Sequence, residues 1–278
     1  MRKRTYFQDH GDHNQSVVTI DQFIDEVMPS ICEWIPVASA KAPMPKKPKT
    51  DFIALQRSNE DVTFLGLISI TPKRNTVASI YPLAKGKLVD VTISQVYEWK
   101  DPFEAFVWAT IGDDLEFCFL ATDYFCNKDK YLVGAKLQIE LAAIGVEITR
   151  GHEDFTLDPE EAKHFYEHMD ADELERDEDG NIIPITMSCS NMVALLPASD
   201  ECPDFHQFHS PIQSYEEITI DEQPFCKLDI VISHEPEDIE IPLYFNKVLC
   251  DNLADSPNIM GSLWLQAHLP GAFVYEEN

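Results

Sequence analysis

The sequence is poor in glycine, with 10 among 278 residues, and no two of them are spaced as G-x-G-x-x-G. G-x-x-x-x-G-K-[ST] is missing as well, which excludes the two common backbone cradles for nucleotide phosphates. There is no G-x-S-x-G turn to expose a nucleophilic serine, and no H-E-x-x-H pair to hold zinc from one helix. The seven cysteines (Cys32, Cys118, Cys126, Cys189, Cys202, Cys226 and Cys250) are odd in number and scattered, with no CxxC pair. That pattern excludes a dense secreted disulfide scaffold and fits reduced thiols in a cytoplasmic protein. The long uncharged stretch Ile182 to Ser199 is broken by Pro184 and Pro197, so it cannot form a spanning helix. A basic start, Met1-Arg2-Lys3-Arg4, is followed by polar Thr5–His10 where a signal peptide needs an apolar core. The expectation is a soluble, cytoplasmic protein.

Positive charge is the scarcest property of all. The chain holds 21 Lys+Arg against 49 Asp+Glu, a formal net charge of −28. Residues 1–50 are near neutral, at +1, and residues 51–150 carry −4. Residues 151–278 hold 4 basic and 29 acidic side chains, a net −25. Such a surface repels phosphate backbones and anionic lipid, which argues against direct nucleic-acid or membrane binding. It attracts basic proteins and speeds their association.

What is present is a β-rich chain with 44% hydrophobic residues, enough to bury a core. Phe23, Ile24, Val27 and Ile31 recur at helical spacing after Thr19, with Pro29 set to kink or shorten that helix. Residues 1–15 read as a mobile polar tail, and Pro36, Pro43, Pro45 and Pro48 mark an extended linker. Strands are expected at Val62–Ile70, Val77–Tyr81, Leu88–Val96, Ala105–Ile111, Leu115–Leu120 and Leu137–Ile144. After Asp158-Pro159-Glu160-Glu161, an N-cap with proline at the first helical position, a helix runs through Phe165 and Met169. Further strands are expected at Ile182–Met187, Met192–Leu196, Ile218–Ile220, Phe225–Ser233, Ile239–Phe245 and Ser262–Leu269. Four regions result: an arm, helix and linker (1–50), a β-rich domain (51–150), an acidic helix and hairpin connection (151–185), and a second, acidic β-rich domain (186–278).

The two β-rich regions share landmarks in the same order. Tyr97-Glu98, Pro102-Phe103, Asp114-Leu115-Glu116, Tyr124-Phe125, Gly134 and Leu137–Leu141 are echoed by Tyr215-Glu216, Pro224-Phe225, Asp238-Ile239-Glu240, Tyr244-Phe245, Gly261 and Leu263–Ala267. The fold class expected is therefore α+β, mainly β: a tandem of two small Greek-key barrels or sandwiches of OB-like type, with an N-terminal helix and a central acidic helix. Barrels of that type use exposed aromatics, for which Trp99, Tyr124 and Tyr244 are the surface candidates.

Three clusters have the residue types of metal ligands. Glu161, His164 and His168 fall on one side of the expected helix, where a solvated polar face is the favoured reading over zinc. Cys202, Asp204, His206 and His209 in a proline-flanked loop have the types that suit zinc, but four ligands within eight residues are cramped. Glu175, Asp177 and Asp179 before Gly180 copy half a calcium loop, but Thr186 stands where its bidentate glutamate belongs. No cofactor is expected, with zinc the alternative. The functional expectation is a non-enzymatic acidic binding protein, of inhibitor, immunity or assembly-factor type, that engages a basic protein partner. Its contact residues would be Asp170, Asp172, Glu173, Glu175, Asp177, Glu178, Asp179, Glu235, Glu237, Asp238 and Glu240. The alternatives are a metal-dependent enzyme using a His/Cys cluster and a tandem nucleic-acid-binding module.

Overall fold

A computed structural model describes residues 11–41, 51–58, 60–99, 103–112, 115–157, 176, 178–179, 183–199, 202–220, 223–235, 237–250, 253 and 256–273. The chain is mainly β with a few short helices, as its alternating and branched segments predict. Helix α1 (Gly11–Gln15) falls inside the stretch expected to be a mobile tail; the difference arises because His13, Val17 and Val18 are buried against the sheets. Beyond α2 (Ile20–Gln22), a π-helical turn covers Phe23–Val27 and a 3-10 turn covers Pro29–Glu33. Pro29 sits at the change, where its missing N–H and its ring forbid continued α-helix. The helix expected after Asp158 lies outside the described residues.

Strands β1 (Ile35–Lys41), β2 (Asp51–Gln56), β3 (Val62–Ile70) and β4 (Asn75–Ala84) form an antiparallel meander, so the expected linker begins as an edge strand. A separate hairpin pairs β9 (Asp154–Leu157) with β10 (Ile185–Ser188). Everything else belongs to one nine-stranded sheet. Its first set is β5 (Lys87–Glu98), β6 (Ala105–Ile111), β7 (Leu115–Ala121), the single-turn helix α3 (Tyr124–Asn127) and β8 (Lys136–Arg150). Its second set is β12 (Phe205–Ile220), β13 (Gln223–Ser233), β14 (Ile239–Asn246), a 3-10 turn (Lys247–Leu249) and β15 (Asn258–His268), with β11 (Ala194–Pro197) on the β12 edge.

The two sets are wired alike. β5–β6, β6–β7 and β5–β8 are antiparallel pairs, as are β12–β13, β13–β14 and β12–β15. Each set then closes its circuit with a strand of the other. β7 runs parallel to β15 through Leu120↔Gln266, and β14 runs parallel to β8 through Leu243↔Ala143. β8 and β15 are themselves a long antiparallel pair at the centre. The shared landmarks partly coincide with this wiring: Tyr97 pairs with Phe106 as Tyr215 pairs with Leu228. They part company further on. Tyr124 lies in α3, after its strand, whereas Tyr244 lies inside β14, and Gly134 precedes β8 whereas Gly261 lies within β15.

Strand alternation divides the core in two. Ile139, Leu141 and Ala143 of β8 and Leu263, Leu265 and Ala267 of β15 join one cluster with Val91, Phe117, Leu228 and Phe245. Ala142, Ile144 and Trp264, from the opposite faces, join a second with Phe106, Leu120, Phe225 and Tyr244. The β1–β4 meander and the N-terminal turns cover this second face through Val17, Trp34, Phe64, Leu67 and Tyr81. Two hydroxyls fasten the layers: Tyr81 donates to the Thr122 carbonyl at 2.8 Å, and Tyr244 donates to the Lys85 carbonyl at 3.0 Å.

Candidate functional site

Of the expected acidic contact residues, Asp170, Asp172, Glu173, Glu175 and Asp177 lie outside the described residues, as do Glu161, His164 and His168. Glu178 and Asp179 are exposed, and so are Glu235, Glu237 and Asp238 on the β13–β14 connection. Glu240 is half-buried at the start of β14. The cations nearest to this acid-rich surface are already engaged. Lys87 lies 3.0 Å from Asp229 and 3.1 Å from Glu240, Lys227 lies 2.8 Å from Asp61, and Lys247 lies 2.6 Å from Glu217. These pairs hold the Asp61, Asp229 and Glu217 carboxyls below the usual range, though burial opposes the shift at Asp61 and Asp229.

His234 marks the edge of this surface. Its Nδ1 faces Asp238 Oδ1 at 2.7 Å and its Nε2 faces the Asn191 carbonyl at 2.9 Å, so both ring nitrogens meet acceptors. The protonated form is favoured, chiefly through Asp238, and the pKa is raised above 6.5. A raised histidine pKa contributes stability that is present below 6.5 and lost as pH rises through the folded value. Titration of the imidazole C–H shift by NMR is expected to place His234 above 6.5, and Asp238→Asn is expected to bring it down.

The Cys202/His206/His209 set is not a metal site. Both histidines stand on β12 three residues apart, an odd spacing that sends their side chains to opposite faces, while Cys202 is exposed in the loop before it. His206 Nδ1 donates to the Asp204 carbonyl at 3.1 Å, and its Nε2 accepts the Cys118 N–H at 3.5 Å. Burial pushes this ring down to about 4, against the pull of Asp204, so it is neutral at pH 7. His209 Nδ1 donates to the Met192 carbonyl at 2.9 Å. Among the described residues no group of three His, Cys, Asp or Glu side chains is placed to hold a metal. The aromatic surface candidates are also corrected: Trp99, Tyr124 and Tyr244 are all buried. Trp99 packs on Phe106, Tyr124 donates to Glu98 at 3.0 Å, and Tyr244 belongs to the covered face.

Three polar arrangements had no sequence signal, because each joins residues from distant elements. Under α1, His13 Nε2 lies 3.1 Å from Asp204 Oδ2, sandwiched by Phe205 and Trp264 rings at 5.2 and 4.3 Å. At the end of β7, the buried Asp123 carboxylate accepts from Tyr131 (2.5 Å), Asn127 (2.7 Å) and the Leu269 N–H (3.2 Å). The third is a cleft of about 190 Å³ where the meander meets β8 and β15, lined by Gln56, Glu60, Leu83, Lys85, Glu140, His268 and Phe273 among others. Glu140 Oε2 lies 3.3 Å from His268 Nε2, and this partner holds its carboxyl below the ordinary value.

No helix among the described residues is long and apolar enough to cross a membrane. Compared with protein-family models, with curated proteins and with solved structures, the chain matches none of them.

Proposed function

We propose that this chain is a non-enzymatic binding protein of inhibitor, immunity or assembly-factor type, which engages a basic protein partner through its acidic C-terminal half. One observation carries the reading. Lys227 and Lys247 are the only basic residues of 186–278, and both are turned to carboxylates of the same molecule. Among the described residues only His234, paired with Asp238, offsets the exposed Glu235, Glu237 and Asp238, so a surplus negative field still faces solvent. The finer fold reading belongs here too. The circuits β5-β6-β7-β15-β8 and β12-β13-β14-β8-β15 each follow the strand order of a five-stranded Greek-key barrel, in which the fourth strand of one copy serves as the fifth of the other. In such barrels the outer face commonly takes ligand; here the chain's own meander covers that face, leaving the acidic edges and loops for partners.

The test compares the native chain with a variant carrying Glu235→Gln, Glu237→Gln, Asp238→Asn and Glu240→Gln, in capture from a native lysate and on immobilised polylysine. The expected result is a basic protein retained at low salt, lost at high salt, and retained at least tenfold more weakly by the variant. A retained partner that ignores both salt and the four substitutions would overturn the reading.

A further inference from the structure

The cleft between the meander and the β8–β15 pair is assembled from four separate segments, at a junction of layers where ligand pockets commonly form. Its polar groups are mostly acceptors. Gln56 is buried, and with its Nε2 donated to the Ser58 carbonyl at 2.8 Å, its Oε1 has no partner among the described residues. Glu140 gives Oε2 to His268, while its Oε1 has no partner among the described residues. Glu60, an exposed residue of the lining, likewise has no ion pair among the described residues. The two cationic-type side chains of the lining are both turned to carboxylates: Lys85 lies 3.6 Å from Asp61, and His268 faces Glu140. Leu83, Ala84 and the Phe273 ring supply apolar walls.

We infer that this cleft is a receptor for an arginine side chain of a basic partner. A guanidinium is the one common protein group whose five N–H donors diverge in a plane, so it can meet three separated acceptor groups at once. Two carboxylates supply the countercharge, one of them open to a charge-assisted bond through Glu140 Oε1. The Phe273 ring, which packs against the His268 imidazole at 5.1 Å, adds an apolar wall for the aliphatic stem, and a volume of about 190 Å³ accommodates a guanidinium with that stem. Lysine, a compact point charge, meets fewer of these acceptors. The assignment rests on the proposed engagement of a basic partner and names where one of its side chains would enter.

The experiment titrates the full chain with an N-acetylated, C-amidated Gly-Arg-Gly peptide and with its lysine and citrulline counterparts, reading NMR shifts. Expected are millimolar binding by the arginine peptide and shifts centred on the His268 imidazole and the Gly271 and Phe273 amides. Citrulline, which keeps the shape but loses the charge, is expected to bind at least tenfold more weakly, and lysine severalfold more weakly. Glu60→Gln combined with Glu140→Gln is expected to reduce arginine binding to the citrulline level. Equal binding of arginine and citrulline, or shifts lying outside the cleft, would overturn the assignment. If the chain still retains polylysine in a salt-sensitive way while the cleft stays silent, only the cleft falls and the acidic-surface reading stands.

Discussion

Replacing Gly261 by valine is expected to abolish the native fold, with soluble protein lost or a destabilisation above about 4 kcal/mol. Gly261 sits within β15 at φ +145°, a conformation open to glycine and strained for any L side chain. A Cβ built there lies 1.8 Å from the Glu147 carbonyl oxygen and 2.8 Å from its carbon. Both are backbone atoms of β8, which cannot swing away as a side chain would. The strand that would have to yield pairs with β8 and β12 and touches β7, so the disturbance reaches both circuits. Gly134→Ala is the matched control. Its φ of +84° is also positive, but nothing lies within 4 Å of the new atom. That variant should lose only about 1 kcal/mol, from backbone strain alone. Urea titrations of the two variants check the contrast, and similar midpoints would refute the steric argument.

The second large effect is expected at Asp123. Asp123→Ala removes the acceptor shared by Tyr131, Asn127 and the Leu269 N–H, and leaves the Tyr131 and Leu269 donors unanswered in a buried site, with Asn127, half-buried, keeping only Cys126 Sγ. Each lost partner costs about 1–3 kcal/mol when buried, so a total loss of roughly 3–5 kcal/mol is expected. Asp123→Asn keeps one acceptor oxygen, and the Tyr131 hydroxyl can turn to accept, so its loss should be smaller. The pH dependence differs in sign from that of the surface acids. Burial raises the Asp123 pKa above 3.8, although its three donors and His268 pull the other way. The folded state therefore holds this proton more tightly than the unfolded one, and the contribution falls as pH rises from 3.8 through the folded value. Asp61, Asp229, Glu140 and Glu217 have lowered values, and they contribute stability above their unfolded pKa that is lost as pH falls. In denaturation measured between pH 3 and 7, Asp123→Asn should thus show a steeper gain in stability with rising pH than the native chain.

These sites also mark how far the sequence could be read. β6 was legible to the residue, because Ala105–Ile111 is a bounded run of branched and aromatic side chains. The first ten residues of β12 were not. Phe205–Ser214 carries His206, Gln207, His209, Ser210 and Pro211, a composition that reads as a loop or a ligand cluster. Its polar groups are satisfied by β11, β15 and the Met192 region, which no local pattern announces. The shared landmarks coincide with the strand wiring at Tyr97 and Tyr215, each on the first strand of its set and facing the second. They part toward β8 and β15, whose pairing joins residues more than a hundred positions apart. For the same reason the acids could be counted but the cleft could not be seen, because Glu140 and His268 meet only through that pairing and Gln56 comes to them from the other sheet.

The reciprocal loan of β8 and β15 has a consequence for how the molecule is made. A ribosome that has released residues up to 150 has delivered every strand of the first circuit except the one that closes it. β7 and β8 must then wait, with apolar faces uncovered, until about 120 further residues have emerged. Pairings of such long range form slowly, because the loop must close before any contact rewards it. The nascent chain is therefore exposed to aggregation while those residues emerge, and the negative charge of residues 151–278, arriving in the same interval, opposes contact between neighbouring copies.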